Sequence, residues 1–162
     1  MATLVTTGRA GLAASVQARN IFLGIGSGST TWDGGNTPSE SITSSALATP
    51  IGYRKSAQVD FVTAAANGAI SLPSGRYDVS ATQTNLLYLK FTLDFADASS
   101  ATIRETGIFL DVQTNSGLPS GQMFFDHATE VTSAGTLYLL EHVSAIIRTA
   151  ATRETFEFVL TF

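Results

Sequence analysis

Over residues 84–95, Leu87, Leu89, Phe91, Leu93 and Phe95 alternate with Tyr88, Lys90, Thr92 and Asp94. A helix would scatter those five apolar side chains around its circumference, whereas a pleated strand gathers them on one face. The spacing predicts a long strand with a buried side. The same period of two runs through residues 51–61, where Ile51, Tyr53, Ala57, Val59 and Phe61 oppose Arg54, Ser56, Gln58 and Asp60, and it returns at 107–112, 123–131, 136–148 and 155–162. Lys55 interrupts the apolar face of the first of these runs and is expected near its exposed end. In the final run Phe156, Phe158, Leu160 and Phe162 share a side, which ties the terminus into a sheet.

Composition points the same way. Seventeen Ser and 22 Thr dominate the polar residues, and charged residues are only 14% against about 25% in an ordinary soluble domain. Thr suits half-buried strands and Ser suits turns. A chain of 162 residues that is 44% apolar can bury an ordinary core. With no cysteine, disulfides and cysteine-ligated zinc are excluded. The net charge of −4 argues against binding nucleic acid by phosphate neutralisation. Arg9 and Arg19, the only charges before Asp33, read as solvated. No basic start followed by an apolar run marks a signal peptide, so synthesis in the cytosol is expected, and no apolar run is long enough for a membrane-spanning helix.

Residues 8–19 form the best helical segment, with Thr7 as N-cap, Leu12 and Val16 four apart, and Asn20 placed to end it. A strand is expected at 21–25, then an irregular Gly- and Ser-rich loop, then a short helix opened by Pro38 and running to Leu47. Leu72-Pro73-Ser74-Gly75 and Leu118-Pro119-Ser120-Gly121 are each turns feeding a strand. Four residues of turn chemistry recur easily, so the repeat is weak evidence of a duplicated hairpin. The expected architecture is mainly β: an antiparallel β-sandwich with a short N-terminal helix and one further short helix. It is one structural domain in two parts, a helical arm and Gly/Ser-rich loop for attachment over 1–50 and the sandwich over 51–162.

No residue pattern in the chain announces catalytic chemistry. Gly24-Ile25-Gly26-Ser27-Gly28-Ser29 lacks the lysine of a phosphate loop and the third glycine of a dinucleotide fingerprint, and Ser27 lacks the frame of a nucleophile elbow. His127 and His142 follow Asp126 and Glu141, but neighbours on a strand face opposite sides and cannot work as a base and its partner. Asp94 and Asp97 read as turn residues, without the sugar-stacking aromatics of a glycosidase cleft. No catalytic residue, metal ligand or cofactor is assigned, and an enzyme is not expected.

What remains is surface for contact. Trp32, the single tryptophan, lies in the loop and either folds back on its own core or anchors a neighbouring chain. Phe124 and Tyr138 fall opposite the apolar faces of their strands and need covering by a second sheet or another subunit. The helix with Leu12 and Val16 either docks on another chain or packs on its parent sheet. Arg104 and Glu105 face opposite sides of a strand and so take different partners, across an interface or as ordinary surface charges.

Two stretches together resemble a known family. Thr6-Thr7-Gly8-Arg9-Ala10-Gly11-Leu12-Ala13-Ala14-Ser15, followed by Ile21-Phe22-Leu23-Gly24-Ile25-Gly26-Ser27-Gly28, is similar to the N-terminal domain of bacteriophage tail fibre and tail-collar proteins. Ile103-Arg104-Glu105-Thr106-Gly107-Ile108-Phe109 resembles the same family's Arg-Glu-x-Gly strand. The resemblance covers about residues 1–112. It implies a structural virion protein of the tail, at the baseplate, collar or fibre attachment, assembled in the host cytoplasm and acting through subunit contacts without catalytic residues. The partners it implies are further copies of the chain and other tail proteins, with no nucleic acid and no membrane insertion, and Leu12, Val16, Trp32, Arg104 and Glu105 are interface candidates. Family members usually continue into a shaft and a receptor-binding tip, which this sequence lacks, so an adaptor or shell subunit is expected. A capsid decoration or neck protein, and a carbohydrate-binding β-sandwich module, stay open as alternatives.

Overall fold

The structure, a computed structural model, describes residues 2–162. In chain order it contains α1 (Thr6–Gln17), β1 (Ile21–Gly26), a 3-10 segment (Thr30–Gly35), β2 (Pro50–Lys55), β3 (Gln58–Ala64), β4 (Ile70–Leu72), β5 (Gly75–Val79), β6 (Leu86–Leu93), β7 (Thr102–Leu110), β8 (Gln113–Thr114), β9 (Phe124–Asp126), α2 (His127–Glu130), β10 (Val131–Ser133), β11 (Thr136–Ile147) and β12 (Glu154–Thr161). The strands form two five-stranded sheets, ordered β11-β7-β1-β2-β9 and β12-β6-β3-β5-β4, and a two-stranded ribbon of β10 and β8. Every recorded pairing is antiparallel. The mainly β expectation holds, and the sheets are consistent with a β-sandwich.

The chain divides into two compact units that are not consecutive in sequence. One takes the N-terminal segment up to Arg19, Ser56–Phe91 and Thr155–Phe162; the other takes Asn20–Lys55 and Thr92–Glu154. The division expected at residue 50 falls on the first residue of β2.

In the first unit, Val62, Tyr77 and Tyr88 form a buried cluster, with Ile70, Leu72, Leu86 and Val159 packed against it. The alternation of β6 succeeds where the chain stays extended: Leu87, Leu89 and Phe91 are fully buried, and Phe91 meets Phe158 edge-on at 6.2 Å. Tyr88, on the opposite face, is buried too, and its hydroxyl donates to the Glu157 carboxylate. Burial first, and that carboxylate second, push the Tyr88 hydroxyl well above its ordinary value. Pro73 and Ser74 close the two-residue β4–β5 hairpin, with Leu72 paired to Gly75. Helix α1 begins two residues earlier than expected. Its N-cap is Val5 without a side-chain cap, Thr7 sits inside the first turn, and Ala18 rather than Asn20 ends it. It packs on its own unit: Ala13 and Val16 are buried and the Gln17 amide donates to Val59 O at 3.4 Å. Arg9, expected to be solvated, donates to the main-chain oxygen of Phe162 at 3.0 Å.

In the second unit β1 is buried along its whole length because it lies between β7 and β2. Gly24 faces Gly107 in register on one side and Tyr53 on the other. A Cβ at Gly24 would come within 2.5 Å of the Phe109 ring, so the two glycines leave the room in which Tyr53 and Phe109 pack edge-on at 5.0 Å. Around them Phe22, Leu47, Val112 and Phe125 complete the cluster.

Several sequence expectations are corrected. The strand at 51–61 is two strands in different sheets. The Lys55 N–H bonds to Met123 O and the Ala57 N–H to Lys90 O, both at 2.8 Å, so the break falls at Ser56. Lys55 is exposed at the end of β2, as expected. Phe95 does not extend the buried face of β6. The chain turns at Asp94, whose N–H donates to the Asp97 carboxylate at 2.7 Å, and Phe95 is 44% exposed beneath the Arg153 guanidinium. Residues 123–131 are not one strand: β9 ends at Asp126, which accepts from the N–H groups of Ala128 and Thr129 and caps α2, and Val131 opens β10; His127 therefore lies on a helix. No helix follows Pro38; the short helical turns are at 30–35 and 127–130 instead. The second Leu-Pro-Ser-Gly is a turn with Gly121 at φ 86°, but it closes no hairpin, since β8 pairs with β10.

Candidate assembly surface

The loop between β1 and β2 is the largest irregular segment of its unit, and every residue from Asp33 to Ala46 is exposed. Such a segment would ordinarily wander. Here three neighbouring positions of the sheet hold it in three places.

The first hold is Arg104, on β7. Its Nε and Nη2 donate to the two oxygens of Asp33, both at 2.8 Å, and its Nη1 donates to Ser27 O at 3.2 Å. The hydrogen bond from Arg104 draws the Asp33 carboxyl below its ordinary value, and Asp33 in turn raises the guanidinium. The second is Glu105, fully buried, whose carboxylate accepts the N–H groups of Ala48 at 2.9 Å and Thr49 at 2.8 Å. Gly26 opposite it is required, because a Cβ there would stand 2.4 Å from the carboxylate. The third is His142 on β11, paired in register with Glu105. Its N–H donates to Glu40 Oε1 at 2.9 Å and its Nδ1 lies 2.8 Å from Pro38 O. A carbonyl only accepts, so the ring carries its proton on Nδ1. The bond from the His142 backbone lowers the Glu40 carboxyl. Trp32 closes the arrangement, packed at a 40° tilt against the His142 ring with centroids 4.6 Å apart and filling the space left by Gly28, which has φ 53°.

Of the sequence candidates, the structure brings together Trp32, Arg104 and Glu105, and each is turned to its own chain. Trp32 folds back on its own unit. Arg104 and Glu105 do face different partners, but both partners lie in the loop, and Glu105 is no surface charge. Val16 is buried in its unit, so among the helix candidates only Leu12, at 47% exposure, is free for contact. Sequence reasoning missed Asp33, Pro38 and Glu40, because a carboxylate in a polar loop carries no period to mark it. His142, which the sequence favours as a partly buried structural imidazole over a ligand or base, is structural, but its loop partners carry no sequence signal.

Both loop carboxylates have depressed values, so their contribution is present above the ordinary carboxylate range and is lost as pH falls through the depressed values. Asp33 faces Arg104 and Glu40 faces His142. Acid titration followed by the fluorescence of the single tryptophan is expected to show a transition below the usual carboxylate range, and the Asp33→Asn/Glu40→Gln protein is expected to lack it.

The whole chain, residues 1–162, matches the family described as baseplate wedge 3 tail fiber network component. The chain belongs to this family. It is a structural component of a phage tail, and its place is the virion. No curated protein matches the chain. In this member of the tail fiber network family, the Arg-Glu-x-Gly strand fastens the loop that follows β1: Arg104 and Glu105 hold the loop's two ends, and Gly107 clears space for Leu137 and Phe109.

Proposed function

We propose that the chain is a non-enzymatic adaptor in the tail fibre network of the baseplate, joined to other tail proteins and to further copies of itself by apolar burial and β-edge pairing. The observation that carries this reading is the use of the motif's two charges together with His142 on the neighbouring strand. Arg104, Glu105 and His142 are spent on holding one exposed loop in place, and a loop fixed from three points is a shaped surface for a neighbour. Low charge favours recognition by shape over recognition by field. Leu12 on α1 and Ile42 in the loop, the latter wholly exposed, are the apolar groups offered for burial.

The test is the particle. Electron imaging of virions carrying a tagged copy is expected to place the chain at the baseplate, between wedge and fibre, and particles lacking the gene are expected to lose their fibres. Fully fibred particles from the deletion, or density on the capsid or neck, would overturn the adaptor role.

A further inference from the structure

Strand β11 is an edge strand of its sheet and spans 12 residues. Edges of that length are usually guarded by lysine, proline or a covering segment. Thr136–Ile147 contains no lysine, arginine or proline, and its one acid is Glu141. The register against β7 slips twice, between Leu137 and Leu139 and between His142 and Ile146, which bends the edge without closing it. Tyr138 and Ile147 remain 43% and 73% exposed. The covering is supplied by the loop. Glu40 Oε1 takes the His142 N–H, the position where the carbonyl of an added strand would sit, and Pro38 takes the ring. Away from that clasp the loop stands off, leaving a groove between Glu40–Ser44 and Leu137–Leu140.

We propose that residues 36–46 are a removable guard on the β11 edge, clasped at His142, and that release lets β11 pair antiparallel with β11 of a second copy of this chain. The strand is complementary to itself about the clasp. A two-fold centred on His142 sets Leu137 opposite Ile147 and Tyr138 opposite Ile146, apolar against apolar, and sets Glu141 opposite Val143 so that no like charges meet. Pairing of this kind is isologous and closes at two copies. The proposal deepens the assembly reading above by naming its edge and its control, but it concerns the isolated chain, so its failure would leave the location in the tail untouched.

The experiment uses the purified full chain and Glu40→Ala, a change at an exposed residue. In dilute solution, amide exchange at His142 is expected to rise about tenfold, as befits loss of a hydrogen bond to a charged group. At higher concentration Glu40→Ala is expected to sediment as a dimer with that amide protected again, while the unaltered chain stays monomeric. Adding Ile147→Lys, which puts a charge on the edge, is expected to restore the monomer. Unchanged exchange in Glu40→Ala removes the clasp; faster exchange without a dimer removes the edge pairing. A dimer that leaves the His142 amide unprotected or survives Ile147→Lys, or a dimeric unaltered chain with its loop in place, overturns the proposal equally.

Discussion

Arg148→Ala is expected to destabilise the chain by about 3–5 kcal/mol, the range for removing one side of a buried charged network. The side chain is fully buried. Its Nη2 donates to Asp94 O at 2.7 Å and Asp97 O at 3.3 Å, and its Nη1 to Thr152 O at 2.9 Å and Thr152 Oγ1 at 3.3 Å. The Glu154 carboxylate stands 3.8 Å away, so the guanidinium is held mainly by carbonyl dipoles. It ties the turn after β6 to the turn after β11, a junction that its own N–H supports with a bond to Ala101 O. Around it Arg54 pairs with Asp97 and Arg153 with Asp94, each at 2.6 Å. Alanine leaves a cavity and strands three carbonyls. Lysine keeps the charge but cannot span acceptors on both turns, so Arg148→Lys is expected to recover only part of the loss. Arg148→Met fills the volume and tests how much of the effect is packing. Urea unfolding measures all three, and a loss under about 1 kcal/mol for Arg148→Ala, within the ordinary range of surface changes, would contradict this account of the junction.

What the sequence made legible is what repeats. The period of two found β6, β11 and β12 with ends correct to within two residues, because apolar residues recur along each, although in β11 two register slips break the single apolar face. It carried the strand at 51–61 straight through a sheet change, since Tyr53 and Val59 keep their parity across Ser56 while the partners of Lys55 and Ala57 differ. It also placed Phe95 in the core, because the turn at Asp94 is made by a carboxylate accepting a main-chain N–H, which has no period at all. The assembly surface was legible by half. The family motif singled out Arg104 and Glu105 as residues with different partners, which follows from strand geometry. That both partners lie in the β1–β2 loop could not be read, because the ring of contacts joins residues about 55 to 100 positions apart, and His142 enters it only through the register of β11 on β7.

The second large effect is expected at Glu105. Glu105→Ala removes two charge-assisted hydrogen bonds to Ala48 and Thr49 and is expected to cost about 3 kcal/mol, close to a 10 °C fall in melting temperature for a chain of this size. Glu105→Gln separates shape from charge. The amide keeps one accepting oxygen but turns an NH2 toward the second N–H, donor against donor, so it is expected to lose nearly as much as alanine. An ordinary surface glutamate would show neither loss. Gly26→Ala supplies an independent check from the other strand, since its Cβ would force the same carboxylate off the Ala48 and Thr49 amides. The readout that ties stability to the surface is amide exchange at Ala48 and Thr49. If the carboxylate anchors the end of the guard, Glu105→Ala and Gly26→Ala free both amides, Glu105→Gln frees one of them, and all three loosen residues 36–46; if it merely fills space, Glu105→Gln leaves the protection of both intact.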